Sequence, residues 1–285
     1  MDEHIPKTIH YFWFSGEPLS ELAEKCISSW KKYCPDYEIR EWNAENFDYA
    51  QCDYAKEAYA AKKWAFLTDY ARLYVLYNYG GIYLDADVEL LKSLDDVLIN
   101  DAGIGFETKY FLGPHFMYAK KGNAYINYLL TSYLSRHFMI GEKYDQTTMP
   151  ITVTRLTNIR YDYKIFHSMS TTQDKISFYP SDFFNPMNHA TGIITITGNT
   201  HLIHHFGGSW TSKRKKEFFL KLRKAIMENR FILKYQTHFV VRKSVSIFLS
   251  ILNATVSYKL SYLIKVLLYI IKIETRHAYI HLFNK

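Results

Sequence analysis

The sequence predicts an α/β fold in which a parallel sheet is flanked by crossover helices. Three observations lead to this prediction: a strand–helix–strand order at the start of the chain, a helix that is apolar on nearly every side, and an apolar strand directly after that helix. The chain has 285 residues, enough for one large α/β domain or two small ones with an ordinary hydrophobic core.

The first three elements follow from local signals. Ile5–Phe14 is an apolar run that predicts a strand, and Asp36–Asn43 alternates in polarity as a second strand does. Between them, Pro18–Tyr33 has Pro near its start, Glu in its first turn and apolar residues at helical spacing, which predicts a helix. Two strands joined by a helix indicate parallel pairing with a crossover.

The next helix is predicted over Trp64–Tyr79 and is followed by Gly80 and Gly81. Because it lacks a polar face, we expect it to be buried. Asp69 and Arg72 are its only charged residues, and their spacing of three places them on one side. They could form a self-contained ion pair, but the cost of burying charge favours a pair that faces a polar site.

The segment IYLDADVELL, residues 82–91, is predicted to be one strand. Alternation along a strand would then direct Asp85 and Asp87 to the same face. Carboxylate oxygens suit Mg²⁺ or Mn²⁺, which in turn bridge phosphates, and Arg72 could serve the same ligand. A D-x-D pair alone is weak evidence, since it can also be the polar end of a buried strand.

Later segments carry a second candidate group of metal ligands. Gly103–Glu107 and Phe116–Ala119 are predicted strands, Ala124–Phe138 is a predicted helix, and residues 174–186 and 192–210 are predicted to be β-rich. The last of these contains IHHFGGSW, in which His204 and His205 precede a Gly-Gly loop. A neutral imidazole is a good further ligand for Mn²⁺. Considered alone, the two histidines indicate a structural role. Considered together with the D-x-D, they indicate a metal site.

Charge divides the chain into an acidic body and a basic tail. Residues 1–210 carry 19 Lys and Arg against 25 Asp and Glu, a net −6, whereas residues 211–285 carry 16 against 3, a net +13. Part of the tail has helical apolar spacing, and its longest uncharged run, 244–258, is shorter than the ~20 residues that span a bilayer. The tail is therefore predicted to be an interfacial amphipathic element on a membrane, or a helix that packs on the body. The absence of a recognisable binding module argues against nucleic acid.

Cysteine usage and the N-terminus indicate the compartment. Cys26, Cys34 and Cys52 are odd in number and lack C-x-x-C spacing, which argues against a disulfide framework or a zinc site and favours a reducing environment. The N-terminus has no apolar segment of the kind found in signal peptides.

Three segments in order, IHYFWFSG, TDYARLYVLYNYGGIYLDAD and HHFGGSW, resemble the family 32 glycosyltransferases. The resemblance covers roughly residues 4–215 and leaves the tail outside. It implies a GT-A fold, which is a Rossmann-like mixed sheet that is flanked by helices and binds a nucleotide sugar. It also implies that the reaction retains the anomeric configuration and that Mn²⁺ or Mg²⁺ holds the donor. We expect residues 1–230 to form this domain and residues 231–285 to form a helical, basic-amphipathic extension.

Site residues carry over by motif. Asp85 and Asp87 match the D-x-D, with His204 or His205 completing the metal shell. The remaining matches are donor contacts: His10 and Trp13 of the first motif, with Trp13 stacking on the base; Asp69 and Arg72 at the donor sugar and phosphates; Tyr83; and Ser209 and Trp210 in a closing loop. His115 and Met149 depart from the family pattern near the acceptor side, so the acceptor stays open.

The expected activity is hexosyl transfer from a UDP-sugar to a glycan, such as a lipid-linked oligosaccharide in bacterial capsule or surface polysaccharide synthesis. The expected location is the cytoplasm, at the inner face of the inner membrane. Two alternatives are a phosphohydrolase that uses the D-x-D as an aspartyl site and a non-catalytic sugar-nucleotide-binding protein. The first leaves Trp13 and HHFGGSW unexplained, and the second does not fit a complete set of competent side chains.

Overall fold

The computed structural model describes residues 4–108, 110–161, 169–188, 192–207 and 217. Within these residues no helix has the length and apolar character that crossing a membrane requires. The predicted extension at 231–285 lies outside the described residues, as do Ser209 and Trp210.

A seven-stranded sheet forms the centre of the described structure. The strands along the chain are β1 (Thr8–Phe12), β2 (Glu38–Trp42), β3 (Gly81–Leu84), β4 (Val88–Leu90), β5 (Ala102–Phe106), β6 (Leu112–Ala119), β7 (Met139–Ile140), β8 (Lys143–Tyr144), β9 (Ser170–Thr171), β10 (Ile176–Tyr179) and β11 (Leu202–His204). The central sheet has the order β2-β1-β3-β6-β5-β10-β9, while β4 pairs with β11 and β7 with β8 in separate two-stranded sheets.

Strand direction places several chain segments at one edge of the central sheet. β1 is parallel to both β2 and β3, and β5 is parallel to β10. β6 is antiparallel to both β3 and β5, so β3 and β5 run the same way. The residues that follow β1, β3 and β5, namely Trp13, Asp85 and Glu107, therefore emerge at the same edge. This is the mixed, mostly parallel sheet that the predicted fold class requires.

The helices are α1 (Glu21–Tyr33), α2 (Asp53–Ala60), α3 (Trp64–Tyr79), α4 (Ala124–Thr131), α5 (Met149–Tyr161) and α6 (Ser181–Phe184). α1 begins after Ser20, whose side chain accepts a hydrogen bond from the Ala23 N–H. α3 has the predicted bounds and is buried along most of its length. It packs in the core on the sheet face that carries Tyr83, whereas Ile82 and Leu84 contribute to a second core on the opposite face.

Two predicted elements differ from the structure. The strand predicted over residues 82–91 is two strands, β3 and β4, because the chain turns at residues 85–87 and β4 leaves the central sheet to pair with β11. The helix predicted over Ala124–Phe138 ends at Thr131, since the chain continues in short turns and the Phe138 ring packs edge-on against Tyr54. The three cysteines are buried and free.

Candidate active site

The Asp85-Ala86-Asp87 segment is a backbone turn held from three directions. The Asp85 N–H donates to the His115 carbonyl at 3.0 Å, the Val88 N–H donates to the Asp85 carbonyl at 3.0 Å, and the His205 N–H donates to the Asp87 carbonyl at 3.0 Å. The two carboxylates therefore converge because of a fixed turn. Strand alternation, the reason inferred from the sequence, does not apply here.

Each carboxylate directs one oxygen to the scaffold and the other to His204. Asp85 Oδ1 accepts from the Tyr83 hydroxyl and lies 3.3 Å from Arg72 Nη1, while Asp85 Oδ2 is 3.8 Å from His204 Nε2. Asp87 Oδ2 accepts from the Gly207 N–H at 2.6 Å, and Asp87 Oδ1 is 3.4 Å from His204 Nε2. Two carboxylate oxygens and one imidazole nitrogen thus meet in one small space.

This group fits a divalent cation. One ligand atom from each of Asp85, Asp87 and His204 lies within 4.8 Å of the others. Carboxylate oxygens with one imidazole suit Mn²⁺ or Mg²⁺, with oxygen ligands from a diphosphate completing the shell. Although burial opposes both charges, Asp87 raises the pKa of His204, and His204 together with the Gly207 N–H holds the pKa of Asp87 below its usual range. A proton on His204 and a metal would therefore compete for the same position.

The structure distinguishes the two adjacent histidines. His205 does not join the cluster: its Nε2 lies 2.8 Å from Glu89 Oε2, which also pairs with Lys25 Nζ at 2.8 Å. The reason is that neighbouring residues at the end of an extended strand point in opposite directions. The sequence prediction that left His204 and His205 as equal candidates is therefore corrected in favour of His204.

Arg72 joins helix α3 to the Asp85–Asp87 turn. Its guanidinium contacts Asp69 Oδ1 and Asp85 Oδ1, each at 3.3 Å, and donates to the Pro114 carbonyl at 2.7 Å. The guanidinium carbon also lies 4.4 Å from the centre of the Tyr83 ring. Burial raises the pKa of Asp69 to about 7, with Asp85 adding to this rise and Arg72 opposing it. The pair on α3 therefore faces a polar site, which is the alternative that the sequence favoured.

The predicted donor contacts lie in different places. Trp13 follows β1 at the edge where Asp85 follows β3, and its indole N–H donates to the Glu17 carbonyl at 2.6 Å. His10 does not approach the cluster. Its Nε2 lies 2.9 Å from the carbonyl of Gly80, at the other end of β3, and its Nδ1 accepts from Trp42. Burial lowers the pKa of His10 to about 4, so we assign it a structural role in place of donor binding.

Two residues near the cluster were not predicted as part of it. His115 stacks on His204 with ring centres 4.4 Å apart and 19° between the planes, and its Nε2 lies 3.0 Å from the Phe184 carbonyl. Burial, and to a lesser extent the neighbouring His204, lowers the pKa of His115, which favours its neutral form. Glu107 interacts electrostatically with both His204 and Asp85. The signal for both was their position: Glu107 is the last residue of the predicted strand Gly103–Glu107, and His115 directly precedes the predicted strand Phe116–Ala119.

The chain is similar to several proteins that are named as glycosyltransferases. Residues 20–104 match the family described as "Glycosyltransferase sugar-binding region containing DXD motif". Inositol phosphoceramide mannosyltransferase 3 of Schizosaccharomyces pombe is 30% identical over 134 residues, which are 43% of this chain and 35% of that protein. Uncharacterized glycosyltransferase L373 of Acanthamoeba polyphaga mimivirus is 25% identical over 80% of this chain and 90% of its own. The solved structure of the PaToxG glycosyltransferase covers 56% of this chain and 70% of its own at 22% identity, with a TM-score of 0.47.

The sheet-edge cluster of two aspartates, an arginine and a histidine lies in a chain that is similar to proteins named as glycosyltransferases. The part that matches the family with a DXD motif, residues 20–104, contains Asp69, Arg72, Asp85 and Asp87 but not His204. The chain spans about a third of the length of the mannosyltransferase it resembles.

Metal affinity is expected to depend on pH through His204. Because a proton and Mn²⁺ compete for Nε2, the Mn²⁺ dissociation constant should rise about tenfold for each pH unit below the raised pKa of His204 and level off above it. Without metal, the free energy of unfolding should depend on pH in the opposite direction. The His204–Asp87 pair stabilises the fold at low pH, and this stabilisation is lost as pH rises through the pKa of His204. Calorimetric Mn²⁺ titrations at several pH values would measure the first effect.

The matched control is His137→Gln, which removes an exposed histidine that pairs with Glu57. It should leave the pH dependence of Mn²⁺ binding unchanged, whereas His204→Gln should weaken binding and flatten the dependence. An unaltered Mn²⁺ profile in His204→Gln would exclude His204 as a ligand.

Proposed function

We propose that this protein transfers a hexose from a nucleotide sugar, specifically a UDP-sugar, to a glycan acceptor with the help of Mn²⁺ or Mg²⁺. The observation that supports this proposal most is the convergence of Asp85, Asp87 and His204 next to a buried arginine. A nucleoside diphosphate is the ligand that calls for both a divalent cation and a guanidinium.

The residues have separate duties in this reaction. Asp85, Asp87 and His204 would hold the metal, which when bound offsets the negative charge that develops on the departing diphosphate. Arg72 carries a fixed positive charge, because its acidic neighbours raise its pKa despite the burial that opposes this. Held by Asp69 and the Pro114 carbonyl, it needs no rearrangement as charge develops nearby. Asp69 would accept a hydrogen bond from a hydroxyl group of the donor sugar.

We further propose retention of anomeric configuration, with the acceptor hydroxyl attacking on the face from which the diphosphate departs. Asp85 and Asp87 are not available as nucleophiles in this scheme, because one oxygen of each bonds to the scaffold and the other faces His204. This differs from retaining hydrolases, in which a carboxylate attacks the anomeric carbon.

A second candidate is mannosyl transfer to a lipid acceptor. It is favoured by the similarity to inositol phosphoceramide mannosyltransferase 3, whose name gives mannose as the sugar and a ceramide lipid as the acceptor. The two candidates share the metal site and differ in the base of the donor and in the acceptor.

One assay tests the function and separates the candidates. Purified protein is incubated with a panel of UDP- and GDP-sugars, with and without Mn²⁺, and nucleotide release is measured. Release from a UDP-sugar only with metal supports the first candidate, and release from GDP-mannose supports the second. Metal-independent release would reject the metal role, and no release from any donor, with or without a glycan or lipid acceptor, would reject glycosyl transfer.

The basic tail leads to a proposal about location. We propose that residues 231–285 hold the enzyme on the inner face of the bacterial inner membrane, where lipid-linked oligosaccharides for capsule or surface polysaccharide are built. The net +13 of residues 211–285 supports attraction to anionic lipids. Deleting residues 231–285 should release the protein from anionic liposomes, and added salt should release the full chain in the same way. Equal liposome binding with and without the tail would reject membrane attachment.

Replacing Trp13 tests the donor-base contact. Trp13→Ala should raise the donor KM about tenfold or more and lower kcat less, because base stacking contributes to binding and lies far from the reacting bond. Trp13→Phe keeps a ring but loses the hydrogen bond to the Glu17 carbonyl, and it should recover most of the affinity. Steady-state kinetics would measure both variants, and an unchanged KM in Trp13→Ala would exclude stacking.

A further inference from the structure

Glu107 occupies a defined place at the edge of the sheet where the metal cluster lies. It follows β5 directly, and β5 runs parallel to β3 with β6 between them. Two strand spacings, about 10 Å, therefore separate its backbone from that of Asp85. Trp13 lies on the opposite side, one strand spacing from Asp85, because β1 and β3 are adjacent. The three residues thus occur along the edge in the order Trp13, Asp85, Glu107.

The backbone of Glu107 is fixed on both sides. Its N–H donates to the Phe111 carbonyl at 2.8 Å, and its carbonyl accepts from the Asn185 side chain at 2.5 Å. Its Cβ packs over Gly113 so closely that a Cβ added there would lie 2.9 Å away. The side chain therefore starts from a rigid position.

The Glu107 carboxylate, in contrast, has no hydrogen-bond partner among the residues that the structure describes. It makes no hydrogen bond or ion pair within the described ranges, although the residue is partly buried and burial raises its pKa. The cationic side chain that interacts electrostatically with Glu107 is His204, whose Nε2 faces Asp85 and Asp87. A half-buried carboxylate at this position can accept hydrogen bonds from a ligand that brings its own hydroxyl donors.

The order of residues along the edge indicates which group that is. If the base lies at Trp13 and the diphosphate at Asp85, the next part of a nucleotide sugar in the same direction is the sugar itself. We propose that Glu107 is a catalytic residue that contacts the transferred sugar and accepts hydrogen bonds from its hydroxyl groups, a role that rests on the proposed function. Glu107 would then help to select the sugar and to hold its anomeric carbon in place.

The test uses the nucleotide sugar that the wild-type enzyme turns over in the donor panel. Glu107→Gln, which keeps the shape of the side chain, should lower kcat/KM for nucleotide release about 10- to 100-fold. The affinity for free UDP, or GDP if the donor is a GDP-sugar, with Mn²⁺ should change less than about twofold, because neither the base nor the diphosphate reaches Glu107. With the deoxy donor that lacks the contacted hydroxyl, the wild type and Glu107→Gln should have the same kcat/KM. Glu142→Gln, at the exposed β7–β8 turn, is the matched control and should behave as wild type.

Three results would overturn the role of Glu107. One is wild-type kcat/KM in Glu107→Gln. Another is a loss of Mn²⁺–nucleotide affinity as large as the loss of turnover, which would mean that Glu107 acts through the metal cluster. The third is a ratio of kcat/KM between the wild type and Glu107→Gln that stays the same with every deoxy donor as with the normal donor. If the wild type itself releases nucleotide from no donor, both the proposed function and this role of Glu107 fail. If the wild type is active and one of these three results is found, only the role of Glu107 fails.

Discussion

Asp87→Asn is expected to abolish metal-dependent nucleotide release, with a loss of at least about 100-fold in kcat. The substitution removes the charge that faces His204 at 3.4 Å, and an amide oxygen is a much weaker metal ligand. The variant should still fold, since the amide oxygen can accept the hydrogen bond that Asp87 Oδ2 takes from the Gly207 N–H. The measurement is donor turnover as a function of Mn²⁺ concentration.

The control for this variant is Asp48→Asn, an exposed carboxylate whose hydrogen bond to the Ala50 N–H an asparagine can also make. Its turnover and its Mn²⁺ dependence should equal those of the wild type. Normal turnover in Asp87→Asn would contradict the metal role of the whole cluster.

Arg72→Met should lower the free energy of unfolding by about 3–5 kcal/mol and abolish activity, because it leaves two carboxylates without their shared cation. Arg72 is buried and contacts Asp69, Asp85 and the Pro114 carbonyl. Arg72→Lys should recover part of the stability and little of the activity, since one ammonium does not reach all three partners. Urea denaturation and donor turnover would measure both losses.

Arg155→Met, on the exposed side of α5, is the matched control and should change stability by less than about 0.5 kcal/mol. If Arg72→Met had the same urea midpoint of unfolding as the wild type, the burial of Asp69 and Asp85 would not require the charge of Arg72. Loss of stability with wild-type turnover would limit Arg72 to a structural role.

Local signals in the sequence predicted the elements that position the site. Proline and glutamate at the start of α1, the apolar pattern of α3 and the glycines after it produced nearly the observed bounds. The pairing of Asp69 with Arg72 also followed from the sequence, because a helix without a polar face has few ways to bury two charges.

Long-range pairing could not be predicted in the same way. Nothing local in residues 82–91 shows that the chain turns at Asp85 and that β4 leaves the sheet, because the partner strand β11 is far along the chain. The same pairing decides between His204 and His205, since its register determines which side chain faces the turn. His10 was misassigned because its neighbours Gly80 and Trp42 lie on other elements, and a motif match does not show where a ring points.

The small sheet formed by β4 and β11 has a consequence for folding order. His204 is opposite Val88 in that sheet, so the third ligand reaches the aspartates only after the chain has been made and folded as far as β11. The cluster of Asp85, Asp87 and His204 therefore forms by a contact between distant segments, which has a loop-closure cost. A bound cation would join the two segments and so stabilise the pairing of β4 with β11. The proposed metal site thus depends on the pairing of these two strands.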